Sequence, residues 1–304
     1  MQAPFPNFDL NNIRWHPTYG HLLASASLDH TARIWSVFDT PGEVVSVEHS
    51  EGVKDVQWTC DGTKLLSGGL DKYVNVSDLE SGKIIHSYHH TEWISSLCPH
   101  PTNPNIFLSG ATRRGIVCWD MRINRVVREY FGRFGEVQDM TFLDSNGYSF
   151  VSTAEIVRRN SQDQGIIVWD CKSGVRLSNQ VYIEGYTCTC VRKHPIENVF
   201  IAQSAAGYIA SFESTKPYRL DVRKRYEGHQ ANGFKIGCSF SGDGKTIVSG
   251  CSSGEVVFYD TKSSKVVKRM DVGAKEATLS VAWHPLLVST VAVSSWDGSI
   301  RILQ

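Results

Sequence analysis

Residues 56–85 read VQWTCDGTKLLSGGLDKYVNVSDLESGKII, and the punctuation of that stretch decides the fold. Val56-Gln57-Trp58 alternates apolar and polar and runs into Cys60-Asp61-Gly62, the composition of a tight hairpin turn. Leu65-Leu66-Ser67 resumes the extended pattern. A turn through Asp71 follows, and Val74 and Val76 then lead to Ser77 on a third run. Lys83-Ile84-Ile85 opens a fourth run after another turn. Four short antiparallel strands in ~40 to 45 residues are the content of one propeller blade.

The same punctuation recurs along the chain. Aligning on the last large residue of the third run puts Trp35, Ser77, Trp119, Trp169, Phe212, Tyr259 and Leu303 in one column, at steps of 42, 42, 50, 43, 47 and 44 residues. One residue earlier stand Ile34, Val76, Cys118, Val168, Ser211, Phe258 and Ile302; three earlier stand Ala32, Val74, Ile116, Ile166, Ile209, Val256 and Ile300. Columns two residues apart share a strand face, so each unit offers a similar apolar strip. Six residues before the anchors an aspartate appears in four of the seven units, at Asp29, Asp71, Asp163 and Asp297, and a serine precedes that column at Ser25, Ser67, Ser109 and Ser249. No segment carries a helical period, so almost no helix is expected. The reading is an all-β, seven-bladed β-propeller filling residues 1–304 as one domain. Length alone would suggest two domains, but the repeat overrides that prior.

Composition narrows the function classes. Lys plus Arg and Asp plus Glu each number 31, which cancels the long-range field that draws basic proteins to nucleic acid or anionic membrane. Hydrophobic residues make up 41%, enough for a large core, yet no apolar run approaches the ~18 residues of a membrane span, and no secretory signal is apparent. The eight scattered cysteines read as free thiols of an intracellular chain.

On these columns the units resemble WD40 repeats over nearly the whole chain. That resemblance implies a hydrogen-bonded tetrad of His, Ser or Thr, Asp and Trp in each blade, of which the sequence keeps pieces. Ser25, Asp29 and Trp35 stand in the first unit without an obvious histidine; His49, Ser67 and Asp71 stand in the second, with Ser77 in place of tryptophan. Glu227-Gly228-His229-Gln230, Val281-Ala282-Trp283-His284-Pro285 and Ser295-Trp296-Asp297-Gly298 resemble propellers of the pre-mRNA-processing factor 17 type. The resemblance implies a monomeric, non-enzymatic scaffold with spliceosomal protein partners and a nuclear location. It also implies that the chain's start closes the last blade. Residues 2–10, with Phe5 and Phe8, are expected to supply that blade's outer strand, and Pro4 and Pro6 confine them to an edge.

Motifs that suggest chemistry lack its setting. Gly250-Cys251-Ser252-Ser253-Gly254 fits a nucleophile elbow but falls between two strands, where no helix can follow. Gly242-Asp243-Gly244-Lys245-Thr246 lacks the first glycine of a phosphate loop, since position 239 is Ser239. His16, His100, His194 and His284 each precede proline at the same place in units one, three, five and seven; a ring separates them, so they read as turn residues rather than metal ligands. Strand alternation puts both thiols of Cys188-Thr189-Cys190 on one face, as core. No catalytic residue, cofactor or metal site is expected.

Recognition falls to loops on a stiff ring. Just before the aspartate column stand Trp296, Leu28 and Leu70, in units seven, one and two, which closure makes neighbours. Trp93 and Phe234 add aromatic surface where first strands begin, and Arg113 with Arg114 replaces the third unit's aspartate. Aromatic and arginine side chains dominate interface hot spots, so these seven residues are the candidate protein-binding set. The alternative is direct RNA binding by the basic segment 216–226, through Arg219, Arg223, Lys224 and Arg225 with Tyr218 and Tyr226 as stacking rings. Arg122, Arg125 and Arg128 read as charges protecting an outer edge. The longer fourth unit is expected to carry a mobile loop over residues 154–161.

Overall fold

Residues 22–27 and 115–120 are buried along their whole length, which requires a neighbouring sheet against each face. The computed structural model, which describes residues 10–38, 41–112, 115–132, 135–156, 165–178 and 185–304, arranges seven antiparallel sheets as a seven-bladed propeller. Blade one is β1 (Leu10–Trp15), β2 (Leu22–Ser27), β3 (Thr31–Ser36) and β4 (Gly42–Glu48). Blade two is β5 (Val53–Trp58), β6 (Lys64–Gly69), β7 (Tyr73–Asp78) and β8 (Ile84–His89). Blade three is β9 (Ile94–Pro99), β10 (Ile106–Ala111), β11 (Gly115–Asp120) and β12 (Arg125–Tyr130). Blade four is β13 (Val137–Phe142), β14 (Ser149–Ala154) and β15 (Ile166–Asp170). Blade five is β16 (Cys188–Lys193), β17 (Val199–Ser204), β18 (Tyr208–Glu213) and β19 (Leu220–Glu227). Blade six is β20 (Cys238–Phe240), β21 (Thr246–Gly250), β22 (Glu255–Asp260) and β23 (Val266–Asp271). Blade seven is β24 (Thr278–Trp283), β25 (Val291–Ser295) and β26 (Ile300–Leu303). No helix occurs among the described residues.

All seven anchor residues fall in third strands, as the columns require. β2 and β11 are buried along their whole length, whereas the outer strand β23 is mostly exposed. The cores therefore lie between blades. Ala24 and Ile34 of blade one pack with Val56 and Leu65 of blade two, and Leu66 and Val74 of blade two pack with Phe107 and Trp119 of blade three. The ring closes between blades seven and one. Trp15 Nε1 donates to Ala282 O at 3.0 Å, Ser280 Oγ donates to Asn12 Oδ1 at 2.9 Å, and Ile13, Leu23 and Ala292 share one core.

The expected closing strand, residues 2–9, lies outside the described residues, and so do residues 157–161 of the expected loop. Leu10 belongs to β1 of the first blade rather than to blade seven.

Six first strands carry a bulge that the sequence pattern hides. Their registers shift between Leu10 and Asn12, Val53 and Asp55, Ile94 and Ser96, Val137 and Asp139, Cys188 and Cys190, and Thr278 and Ser280. The extra residue reverses alternation locally. Cys188 and Cys190 consequently do not share a face, contrary to the alternation rule: Cys188 packs with Val151 and Phe200 between blades four and five, and Cys190 with Cys238 and Tyr259 between blades five and six.

The proline-preceding histidines are indeed turn residues, and three of them also bridge blades. His16 Nδ1 accepts from the amides of Thr18 and Tyr19, and its Nε2 meets Gly62 O of blade two at 2.9 Å. His194 repeats this with Ile196, Glu197 and Gly244 O, and His284 with Leu286, Leu287 and Gly20 O. Acceptance at Nδ1 fixes the proton on Nε2, so a neutral ring satisfies both sides. Gly62 has φ +72°, and a side chain there would collide with the His16 ring, which leaves glycine as the fitting residue on both counts.

Candidate protein-docking site at the channel mouth

The bulged residues Asn11, Lys54, Ser95, Gln138, Thr189 and Leu279 line one end of the central channel, around a cavity of about 180 Å³. In alternate blades they also tie the ring together. Asn11 Nδ2 donates to Val53 O at 2.7 Å, Ser95 Oγ to Val137 O at 2.5 Å, and Thr189 Oγ1 to Ile236 O at 3.0 Å, each across to the following blade.

Below them sits a polar floor. Asp139 Oδ1 accepts from Met140 N, and its Oδ2 accepts from Val191 N at 3.0 Å and Arg192 Nη1 at 2.5 Å. Asp55 Oδ1 accepts from Asn12 Nδ2 and its Oδ2 from Leu97 N at 2.7 Å, while Arg14 Nη1 donates to Asn12 Oδ1 at 2.7 Å. Burial alone would raise Asp139, but Arg192 and Arg14 outweigh it and hold the carboxyl below its usual range. Burial wins at Asp55, whose carboxyl is pushed up despite Arg14. The two aspartates thus link blades one, two and three, and four and five, through charge-assisted bonds.

Above the floor the wall turns apolar. Leu28, Phe234, Leu279 and Trp296 line it, with Lys54, Glu136 and Lys235 beside them. Trp296 is partly exposed, meets Phe234 edge-on at 6.2 Å, and rests on Ala231, Ile236, Ala277 and Leu279. Leu28 lies over Gly52, where a Cβ would approach it to 2.8 Å, and Leu70 N donates to Gly52 O at 2.9 Å, so Leu28 and Leu70 flank one glycine. Burial first, then Lys235, lowers Lys54 below an ordinary lysine. Leu28, Phe234 and Trp296 are brought together. Leu70 continues the surface outside the cavity lining, and Trp93, 41% exposed, projects two residues before Ser95 without lining the cavity. Arg113 and Arg114 lie outside the described residues.

The strand ends carrying these loops are braced by the tetrad remnants. His49 Nδ1 pairs with Asp71 at 2.7 Å and its Nε2 with Ser67 at 2.8 Å. In blade one Trp35 Nε1 donates to Ser25 Oγ at 2.8 Å, and Asp29 binds Thr31 and Arg33. Blade three joins His90, Ser109 and Trp119, and in blade six Tyr259 Oη reaches His229 Nδ1 at 2.8 Å, replacing the missing tryptophan. The sequence reading overlooked His90, Lys54 and Lys235. The lysines gave no periodic signal because a bulge and a loop place them.

The basic segment is differently built. Arg223, Lys224, Arg225 and Tyr226 lie on β19, the outer strand of blade five. Tyr226 is buried, with its Oη donating to Thr261 O at 3.1 Å, and Tyr218 is buried in the core between blades four and five. Neither ring is free to stack on a base, which corrects the expectation for Tyr226. Arg219, Arg223 and Arg225 are all exposed, and Arg225 lies over the Tyr208 ring at 3.6 Å and pairs with Glu227. Gly250 to Gly254 form the turn between β21 and β22. Arg122 pairs with Asp120 and Arg128 donates to Ser173 O, so these charges brace turns as well as lining an edge.

Comparison with known proteins agrees with the repeat reading. The model of the WD domain, G-beta repeat, matches residues 6–36, 42–78, 82–120 and 221–260. WD repeat-containing protein 25 of Mus musculus is 36% identical over 297 residues, 96% of this chain and 55% of that protein. Pre-mRNA-processing factor 17 is 29% identical over 293 residues in Mus musculus and 26% over 294 in Saccharomyces cerevisiae, each covering 95% of this chain and respectively 49% and 63% of the relative. The chain spans about half the length of most of these curated relatives.

Proposed function

We propose that this chain, a seven-bladed propeller carrying WD40 repeats, is a non-catalytic scaffold that docks a protein of the pre-mRNA splicing machinery, in the nucleus, at the mouth of its central channel. The observation that carries the reading is the partly exposed wall of Leu28, Phe234 and Trp296 beside Lys54 and Lys235. A ring gains nothing from leaving a tryptophan partly in water unless something covers it. The wall is also preorganised. Leu28 and Trp296 emerge from blades joined at the ring closure, and Phe234 rests on the same small core as Trp296, so a docking segment loses its own freedom while the ring loses little. The splicing assignment is supported by the relatives named pre-mRNA-processing factor 17. Leu70 and Trp93 extend the surface on the same face. The RNA reading draws no support from the basic segment, whose two rings, Tyr218 and Tyr226, are buried.

Affinity capture from nuclear extract tests this. The unaltered chain is expected to retain splicing proteins, and Trp296→Asp with Leu28→Asp to lose them while keeping its melting temperature within a few degrees. Loss of an aromatic hot spot costs about 2 kcal/mol or more, roughly a 30-fold weaker complex. The same proteins captured by a folded double variant would remove the mouth as the docking surface.

A further inference from the structure

We infer that the segment docking at the channel mouth is acidic as well as apolar, and that it seats a carboxylate side chain between Lys54 and Lys235 while a large apolar neighbour covers Trp296. This rests on the mouth being the docking surface and adds the chemistry of what docks there.

Lys54 and Lys235 line one cavity of about 180 Å³ together with Leu28, Phe234 and Trp296. Lys54 is the bulged residue of β5 and is partly buried; Lys235 follows Phe234 in the loop before β20 and is exposed. Lys235 Nζ donates to Gln138 O at 2.6 Å, which pins that loop to blade four and leaves the ammonium two further N–H groups. Among the described residues no hydrogen bond or salt bridge engages the Lys54 ammonium.

The floor leans the same way. The carboxylates of Asp55 and Asp139 already receive donors from within the ring. Arg14 donates through Nε and Nη1 and Arg192 through Nη1, so Arg14 Nη2 and Arg192 Nε and Nη2 have no partner among the described residues. Arg14, Lys54, Arg192 and Lys235 also outnumber Asp55, Glu136 and Asp139 in the lining. What the channel leaves unused is mainly cationic N–H.

An incoming carboxylate gains charge-assisted hydrogen bonds from the two lysines and relieves their mutual repulsion, which after burial is what lowers Lys54. A basic side chain in that place would face both ammonium groups, and like charges across an interface are strongly penalised. Phe234 and Lys235 are consecutive, and Trp296 meets Phe234 at 6.2 Å, so the partner's acidic and apolar positions must lie close in its own sequence.

The test selects a random-sequence peptide library, displayed on mRNA, against the immobilised chain and against variants whose melting temperatures match it. On the unaltered chain the enriched peptides should carry Asp or Glu within a few positions of Leu, Met, Phe or Trp. Lys54→Glu with Lys235→Glu should switch the acidic preference to Lys or Arg and keep the apolar one. For one enriched peptide, changing its acid to the corresponding amide should weaken binding to the unaltered chain about tenfold, the effect of a close interfacial charge pair, and leave binding to Lys54→Met with Lys235→Met nearly unchanged. Apolar peptides without an acidic preference, lost on Trp296→Asp with Leu28→Asp, would overturn the charge assignment and leave the mouth as the docking surface. Enriched peptides held equally by that last variant, or no enrichment at all, would remove both readings.

Discussion

Replacing Asp139 by asparagine probes how the blades are held together. The change is nearly isosteric, but both carboxylate oxygens already receive donors, from Met140 N, Val191 N and Arg192 Nη1. An amide group must turn its NH₂ toward one of them, and Arg192 loses its counter-ion. Breaking a buried pair costs about 3–5 kcal/mol. The Arg192 side chain keeps 23% of its surface, so water recovers part of that loss and about 2–3 kcal/mol is expected. Unfolding entropy near 2.1 cal/mol/K per residue gives roughly 0.64 kcal/mol/K for 304 residues, so the melting temperature should fall by about 3–5 °C. Scanning calorimetry of Asp139→Asn, Arg192→Met and the double variant measures it, with a coupling energy of about 1.5–2 kcal/mol expected. A single-variant shift below about 1 °C, or strictly additive effects, would refute the view that this pair clamps blades four and five.

Gly62→Ala should destabilise by about 2 kcal/mol, combining the strain of positive φ with displacement of His16, and a matching fall in denaturation midpoint checks it. His229, lowered to about 4 by burial and then by Arg269, is neutral when folded. Its unfolded form titrates near 6.5 and binds more protons below that, so stability should be lost as pH falls from about 6.5 to 4, by about 3 kcal/mol from this group; denaturant titrations of His229→Gln across that window should show a flatter slope. Neutralising Arg223 and Lys224 should leave both protein capture and single-stranded RNA binding unchanged, and a steep salt-dependent RNA affinity lost in that variant would restore the RNA reading.

What could be read from the chain follows from where each signal is stored. The anchor columns through Trp35, Trp119, Trp169 and Tyr259 record packing between neighbouring blades, so every unit repeats them and the sevenfold ring is legible. The neighbourhood of Leu28 and Trp296 needed only that count and closure, and their shared cavity wall follows. The floor was not legible. Asp55 and Asp139, Arg14 and Arg192 sit on different sheets, and only ring closure brings such charges together. Cys188 and Cys190 were misplaced because one bulged residue reverses alternation without altering composition. Tyr226 misled for a related reason: an outer strand keeps one inward face, and its tyrosine lies on it between the exposed Arg225 and Glu227.

Site-specific photocrosslinking from the channel mouth addresses the central claim most directly. A benzoyl-phenylalanine placed at Leu28 should capture a splicing protein in nuclear extract, whereas one placed at Ile196, an exposed residue in the turn between β16 and β17, should not. Equal capture from both positions, or capture from Ile196 with none from Leu28, would contradict a partner seated over Trp296.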